Sequence, residues 1–178
     1  GGSRLGLKAN DKVSVQDLLY GLLLVSGNDS AVALAEYIAG SVEGFANKMN
    51  EKAQELGLEN ISTIHGRAED YAKDAAYREK YDLCVSRAVA NLATLSEYCL
   101  PYVKVGGMFI PYKSGEIDEE VKGSKKAVKV LGGEIEDVVK FELPGTDIGR
   151  SFVKIHKVKN TAKKYPRKAG MPSREPIV

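Results

Sequence analysis

The periodicity of the chain changes near residue 60, and that change restricts the fold more than any other feature. Before it, apolar residues recur only at helical spacing. After it, short apolar runs alternate with amphipathic stretches. Alternating strand and helix signals at this spacing point to an α/β layered sheet, and a helix-only segment cannot supply one. In the front part, Ser14-Val15-Gln16-Asp17 resembles a capping box. It opens a helix over 15–25 that is apolar nearly all round, so the pattern predicts a central, buried element. The 26–30 segment breaks that helix. A second is predicted over 31–39, ending at Gly40, and a third after Ser41, with Phe45, Met49, Ala53 and Leu56 on one face and Gly57 as its stop. In the rear part, strands are predicted at 61–64, 82–86, 107–112, 135–143 and 152–158. A polar helix is predicted after Gly66. Helical spacing over 88–103 is bent or ended by Pro101, and an amphipathic helix runs over 116–131.

The 178 residues suffice for one domain with a core, or for two very small ones. An apolar share of 43% and a charged share of 28% exclude general disorder. The run Leu18–Val25 is too short to cross a bilayer, and Gly1-Gly2-Ser3-Arg4 does not resemble a signal peptide. The expected compartment is the cytoplasm, or the interior of an expression host, with no membrane association. Cys84 and Cys99 each lie in an apolar run and read as reduced thiols. No Cys/His cluster has metal-ligand spacing, so no metal is expected. The charge is uneven. Residues 1–60 carry 5 Lys/Arg against 8 Asp/Glu, whereas residues 157–178 carry 7 Lys/Arg against one Glu. A basic tail suits phosphate-rich partners, or it is a solvated tail with no partner.

The front string Val13-Ser14-Val15-Gln16-Asp17-Leu18-Leu19-Tyr20-Gly21-Leu22-Leu23-Leu24-Val25-Ser26-Gly27-Asn28-Asp29 resembles the serine D-alanyl-D-alanine carboxypeptidases, the low-molecular-weight penicillin-binding proteins, and the resemblance runs to about Asn60. It implies a Ser-x-Asn motif in which Ser26 relays a proton and Asn28 contacts the substrate amide. That family's nucleophile lies in a Ser-x-x-Lys motif further upstream, and the chain is expected to begin too late to include it. Ser151 to Lys154 spells the motif, but in a predicted strand those side chains point to opposite faces, so Lys154 cannot activate Ser151. Lys113-Ser114-Gly115 mimics the family's third motif from within the other half. Ser26 and Asn28 are therefore read as remnants whose remaining work is to end and cap helices.

From about residue 61 the chain resembles the small-subunit rRNA guanine-N7 methyltransferase family. The carrying strings are His65-Gly66-Arg67-Ala68-Glu69, Tyr81-Asp82-Leu83-Cys84-Val85-Ser86-Arg87-Ala88-Val89-Ala90, Leu143-Pro144-Gly145-Thr146-Asp147 and Lys163-Lys164-Tyr165-Pro166-Arg167-Lys168-Ala169-Gly170. The resemblance implies a Rossmann-like sheet that binds S-adenosylmethionine. In it Ala68 and Glu69 lie beside the adenine, Arg87 lies at the catalytic mouth, and Lys163, Lys164, Arg167 and Lys168 face RNA phosphates. Read from the residues alone, Glu69 and Arg87 suit a ligand at the carboxyl ends of strands or an ordinary surface ion pair. The glycine-rich loop and the acidic strand end that hold the rest of that cofactor are not in the sequence.

The resulting expectation is an α/β protein with N-terminal helices, 1–60, packed on a truncated Rossmann-like sheet of about five strands, 61–178, the last two antiparallel. The two parts are expected to merge into one folding unit, loosely packed. In function it reads as a recombinant or designed chimera without a complete active site, with no catalysis and no cofactor. The alternatives are an S-adenosylmethionine-dependent rRNA methyltransferase and an RNA-binding module using the basic tail. The strands lost from the sheet leave an edge, which the 61–64 strand, the 15–25 helix or a second copy of the chain, as a homodimer, would cover.

Overall fold

In the computed structural model, which describes residues 3–87 and 89–178, the chain divides into two compact units, residues 1–65 and 66–178. The first is helical: α1 Val15–Val25, α2 Asn28–Ala39 and α3 Val42–Glu55. The Ser14 hydroxyl oxygen accepts from the Asp17 amide at 3.1 Å and donates to the Asp17 carboxylate at 2.6 Å. The capping residues are as read, but Asp17 turns to the hydroxyl rather than back to the exposed amide. Ser26, at φ 54°, ends α1, and its amide donates to the Gly21 carbonyl. With the cap at Gly27, α2 starts at Asn28, three residues before its predicted start. Gly21 is needed where it stands, because a side chain there would collide with Leu5 and with Ser30.

The core of this unit is small. Leu18, Leu34, Ala35 and Ala53 are its buried apolar residues. The expectation of a central α1 is corrected: Leu23 is 74% and Leu24 78% exposed, and only Leu18 and Gly21 of this helix are buried. An all-round apolar pattern announces burial only when partners are available on every side. The carboxylate of Asp29 ties down the segment ahead of α1. It accepts from the amides of Leu5 (3.0 Å), Gly6 (2.8 Å) and Leu7 (3.1 Å), and from its neighbour Ser30 (3.1 Å).

The predicted strand at 61–64 does not form. Thr63 is fastened to α3 instead: its amide donates to Asn50 Oδ1 at 2.6 Å and its hydroxyl to the Ala46 carbonyl at 2.9 Å. A side chain that satisfies the backbone in this way competes directly with a sheet ladder.

The second unit runs α4 Ala68–Tyr71, β1 Tyr81–Arg87, α5 Leu92–Cys99, a 3₁₀ turn over Leu100–Tyr102, β2 Val103–Ser114, α6 Asp118–Val130, β3 Gly133–Glu142, β4 Gly149–Lys157 and α7 Met171–Arg174. The sheet has four strands, not five, in the order β1-β2-β4-β3. β1 and β2 are parallel, joined through α5. β4 is antiparallel to both of its neighbours, and the β3–β4 pair is the antiparallel edge expected from the sequence. The 88–103 segment yields α5, the turn at Pro101 and the start of β2, which is longer than its apolar run suggests.

Burial alternates across the sheet. On one face, Phe109, Val153 and Ile155 pack with Leu92, Leu95, Leu100, Val128 and Leu131 from the helices α5 and α6 and their ends. On the other, Leu83 and Val85 of β1, Tyr112 of β2 and Val139 of β3 are exposed. β1 ends the sheet, so among the described residues one row of its backbone groups has no strand beside it.

At the end of β4, Lys157 is completely buried. Its ammonium donates to the carbonyls of Leu100 (2.6 Å) and Val103 (3.0 Å) and to the Thr161 hydroxyl (2.9 Å), and it pairs with Glu79 at 3.3 Å. Burial pushes its pKa down, and the Glu79 carboxylate opposes that shift. Replacing Lys157 with Met should lower the unfolding free energy of the second unit by about 3 kcal/mol, because the carbonyls and Glu79 stay buried without their donor. Urea unfolding followed on Tyr signals of this unit checks the value.

In the first unit, the Leu5 amide chief among the four holds the Asp29 carboxyl down to about 2, from 3.8. The carboxylate therefore supports the Leu5–Leu7 segment fully above pH 3.8 and loses that support as pH falls through about 2. Proton exchange of the Leu5, Gly6 and Leu7 amides, corrected for intrinsic rates, should stay slow at pH 4 and accelerate towards about pH 2.

Candidate nucleic-acid interface

β1 and β2 run parallel and end at one rim of the sheet, with Arg87 opposite Tyr112. β4 begins at that rim and β3 ends there: Tyr112 pairs with Phe152, and Phe141 with Arg150. These side chains share the face that the helices leave open. The ring centroids of Tyr112 and Phe152 are 4.7 Å apart at 62°, and those of Phe141 and Phe152 are 4.7 Å apart at 34°. Together with Arg87, Arg150 and Leu143 the three rings line a cleft of about 680 Å³. Ligands of open α/β sheets sit at the carboxyl ends of the parallel strands, which is where this cleft lies. Lys113 also lines it, but its ammonium donates to Glu120 (2.6 Å) and to the Ala90 carbonyl (2.8 Å). Glu120 accepts from the Leu92 amide as well, at 2.5 Å, so this pair anchors the start of α5 behind Arg87.

Ala68 and Glu69 are not brought to Arg87. The Tyr102 hydroxyl donates to the Ala68 carbonyl at 2.6 Å, and the Tyr102 ring lies 6.2 Å from that of Tyr81, at the start of β1. Arg87 is at the other end of that seven-residue strand, roughly 20 Å along. Glu69 is 7% exposed and accepts from the Gly170 amide at 3.2 Å, so it is covered by the tail.

The tail is fastened along its length. Arg167 grips Glu97, itself 1% exposed, through Nε (3.0 Å) and Nη2 (2.8 Å), and its amide adds a third bond at 2.8 Å. Arg78 reaches the tail carbonyls of Thr161 (2.7 Å) and Tyr165 (2.9 Å), and also holds the Ala72 carbonyl at 3.0 Å. Arg167 is thus turned inward, whereas Lys163, Lys164 and Lys168 are exposed. The roles of Glu97, Arg78 and Lys157 have no local sequence signal, because each depends on partners more than 50 residues away: Arg167 for Glu97, Thr161 and Tyr165 for Arg78, and Leu100 and Val103 for Lys157.

Ser26 and Asn28 are exposed at the α1–α2 junction. Ser151 is buried and donates to the Ser114 carbonyl at 2.7 Å, while Lys154, three residues on, occupies the opposite face of β4, near Glu136 at 3.9 Å. Among the described residues no group of His, Cys, Asp and Glu could hold a metal, and no helix is long and apolar enough to cross a membrane.

Residues 1–99 match the D-alanyl-D-alanine carboxypeptidase family. That is more than half of the chain, and the chain belongs to this family. The match passes the boundary at residue 65 into the second unit. Across a larger stretch the chain is similar to Ribosomal RNA small subunit methyltransferase G. It is 50% identical to that of Clostridium novyi (strain NT) over 132 residues, 74% of this chain and 54% of the relative. It is 53% identical to that of Acetivibrio thermocellus over 137 residues, 77% of this chain and 56% of the relative. The chain thus spans about half the length of these curated relatives. Either stretch exceeds the second unit in length, so the likeness reaches back past the residue-61 boundary read from the sequence. The two family likenesses also overlap, since together they exceed 178 residues. Among solved structures, the AdoMet complex of M. jannaschii TYW2 aligns at 13% identity, TM-score 0.44, over 65% of this chain and 54% of that one.

Proposed function

We propose that this chain acts on ribosomal RNA as part of an S-adenosylmethionine-dependent rRNA (guanine-N7) methyltransferase, and that its second unit supplies RNA-facing surface. The identity of about half over three quarters of the chain to rRNA methyltransferases carries this reading. Lys163, Lys164 and Lys168 are the phosphate contacts, displayed on a tail that Arg167 pins to Glu97. Arg87 stands at the mouth, at the carboxyl end of β1. S-adenosylmethionine is the methyl donor in this reading, with Ala68 and Glu69 as the residues proposed to lie beside its adenine, and no step is assigned through it.

Binding of a ribosomal RNA hairpin should weaken steeply with salt. Replacing Lys163, Lys164 and Lys168 by Gln should reduce the slope of log affinity against log salt by about 2 to 3. An unchanged slope would overturn the tail assignment. Titration calorimetry with S-adenosylmethionine then separates a methyltransferase from an RNA-binding segment: heat of binding supports the first, and its absence beside intact RNA binding supports the second.

The overlap of two family likenesses in one chain favours a second reading, a spliced chain that has kept fold from both sources and catalysis from neither. In it Ser26 ends α1 and Asn28 is the first residue of α2, and a labelled penicillin should leave the chain unacylated. Covalent labelling of any serine would sink this second reading.

A further inference from the structure

We infer that the cleft at the carboxyl rim is a stacking site for an unpaired base of single-stranded RNA, with Tyr112, Phe152 and Phe141 as the platform and Arg87 and Arg150 as the phosphate contacts. The inference deepens the RNA reading above and rests on it for the class of ligand.

Three observations carry it. The first is that the rings lie on the sheet face that α5 and α6 leave open, and the Tyr112 side is 43% exposed. Aromatic rings on an open sheet face hold bases that have left a helix, because every base has a π-face and no base-pair edge is needed. The second is charge. Two arginines border the rings, and among the described residues no acid lines the cleft. A guanidinium serves both parts of a nucleotide, since it pairs with phosphate oxygens through its planar fork and stacks on rings. An apolar protein segment would have no use for either arginine. The third is size. A cleft of about 680 Å³ is in the range of roughly 300–1,000 Å³ usual for small-ligand sites and cannot admit a duplex. A base inside a duplex has both faces covered, so only an unpaired or extruded nucleotide presents what this site takes.

The test uses the full chain and fluorescence anisotropy with a short labelled single-stranded RNA. Tyr112→Leu and Phe152→Leu should each weaken binding at least fivefold, the lower end of what one stacked base contributes. Tyr112→Phe, which keeps the ring, should bind as the parent does. Arg150→Gln should weaken binding and reduce its salt dependence. Phe152 sits between two rings, so its variant can fail to fold, and Tyr112→Leu then decides alone. Parent-like affinity in Tyr112→Leu, with a cooperative melt, overturns the proposal. So does a duplex of the same sequence binding as tightly as the single strand, or a parent chain that does not bind the RNA. If the Lys163, Lys164 and Lys168 to Gln variant loses binding while the ring variants keep it, the tail assignment stands and this site falls. The reverse result removes the tail assignment and leaves this site in place.

Discussion

A buried ammonium group has to be satisfied or it unfolds what surrounds it, and the second unit is arranged around that requirement at Lys157. The three donors of Lys157 reach the 3₁₀ turn at Leu100, the start of β2 at Val103 and the tail at Thr161. The Thr161 hydroxyl passes the chain of bonds on to the Leu131 carbonyl, at the end of α6, at 2.6 Å. Glu79, which balances the charge, also accepts from the Thr161 amide at 2.7 Å. One side chain therefore fixes the end of β4, the approach to β1, the α5–β2 connection, the end of α6 and the tail. The apolar core of Leu100, Val103 and Leu131 closes over it.

The two faces of the sheet differ. α5 and α6 cover the Phe109, Val153 and Ile155 face, and Lys113 with Glu120 fixes the start of α5. The opposite face keeps its apolar and aromatic residues in the open. In a doubly wound sheet both faces are covered by helices. Here the uncovered face bears rings and arginines at its carboxyl rim, which suits contact with a ligand better than contact with solvent. The tail is held rigid by Arg167 and Glu97, so its exposed lysines are displayed from a fixed backbone.

Period and turn chemistry made most of the second unit legible. The β3–β4 hairpin and α6 follow from alternation and from amphipathic spacing, and the Pro101 bend from proline geometry. Residues 61–64 mislead because Ile61 and Ile64 look like strand residues, while Thr63 has nearer partners on α3. The helix over 15–25 misleads because pattern reports what a face would bury, not whether anything is there to bury it. Ser14 was legible because a cap is local. Lys157, Glu97 and Arg78 were not, since in sequence each is an ordinary charged residue and its role exists only through distant partners. The aromatic cleft escaped for the same reason: Tyr112, Phe141 and Phe152 sit on three strands, and only register brings them together. Ala68 and Glu69 illustrate the converse, a string legible in sequence whose partners, Tyr102 and Gly170, only the fold supplies.

The reach of Arg78 has a consequence for how the protein is made. Its carbonyl partners at Thr161 and Tyr165 lie 83 and 87 residues further along the chain. At about 5–20 residues per second of synthesis, a ribosome needs roughly 4 to 17 s to deliver them after Arg78 has been joined. For that interval the segment before β1 lacks its clamp and Glu79 lacks Lys157. In the helices of residues 1–65, the bonds of Asp29 and Thr63 are made to partners no more than 24 residues away. The second unit therefore completes this clamp only after its tail has been delivered.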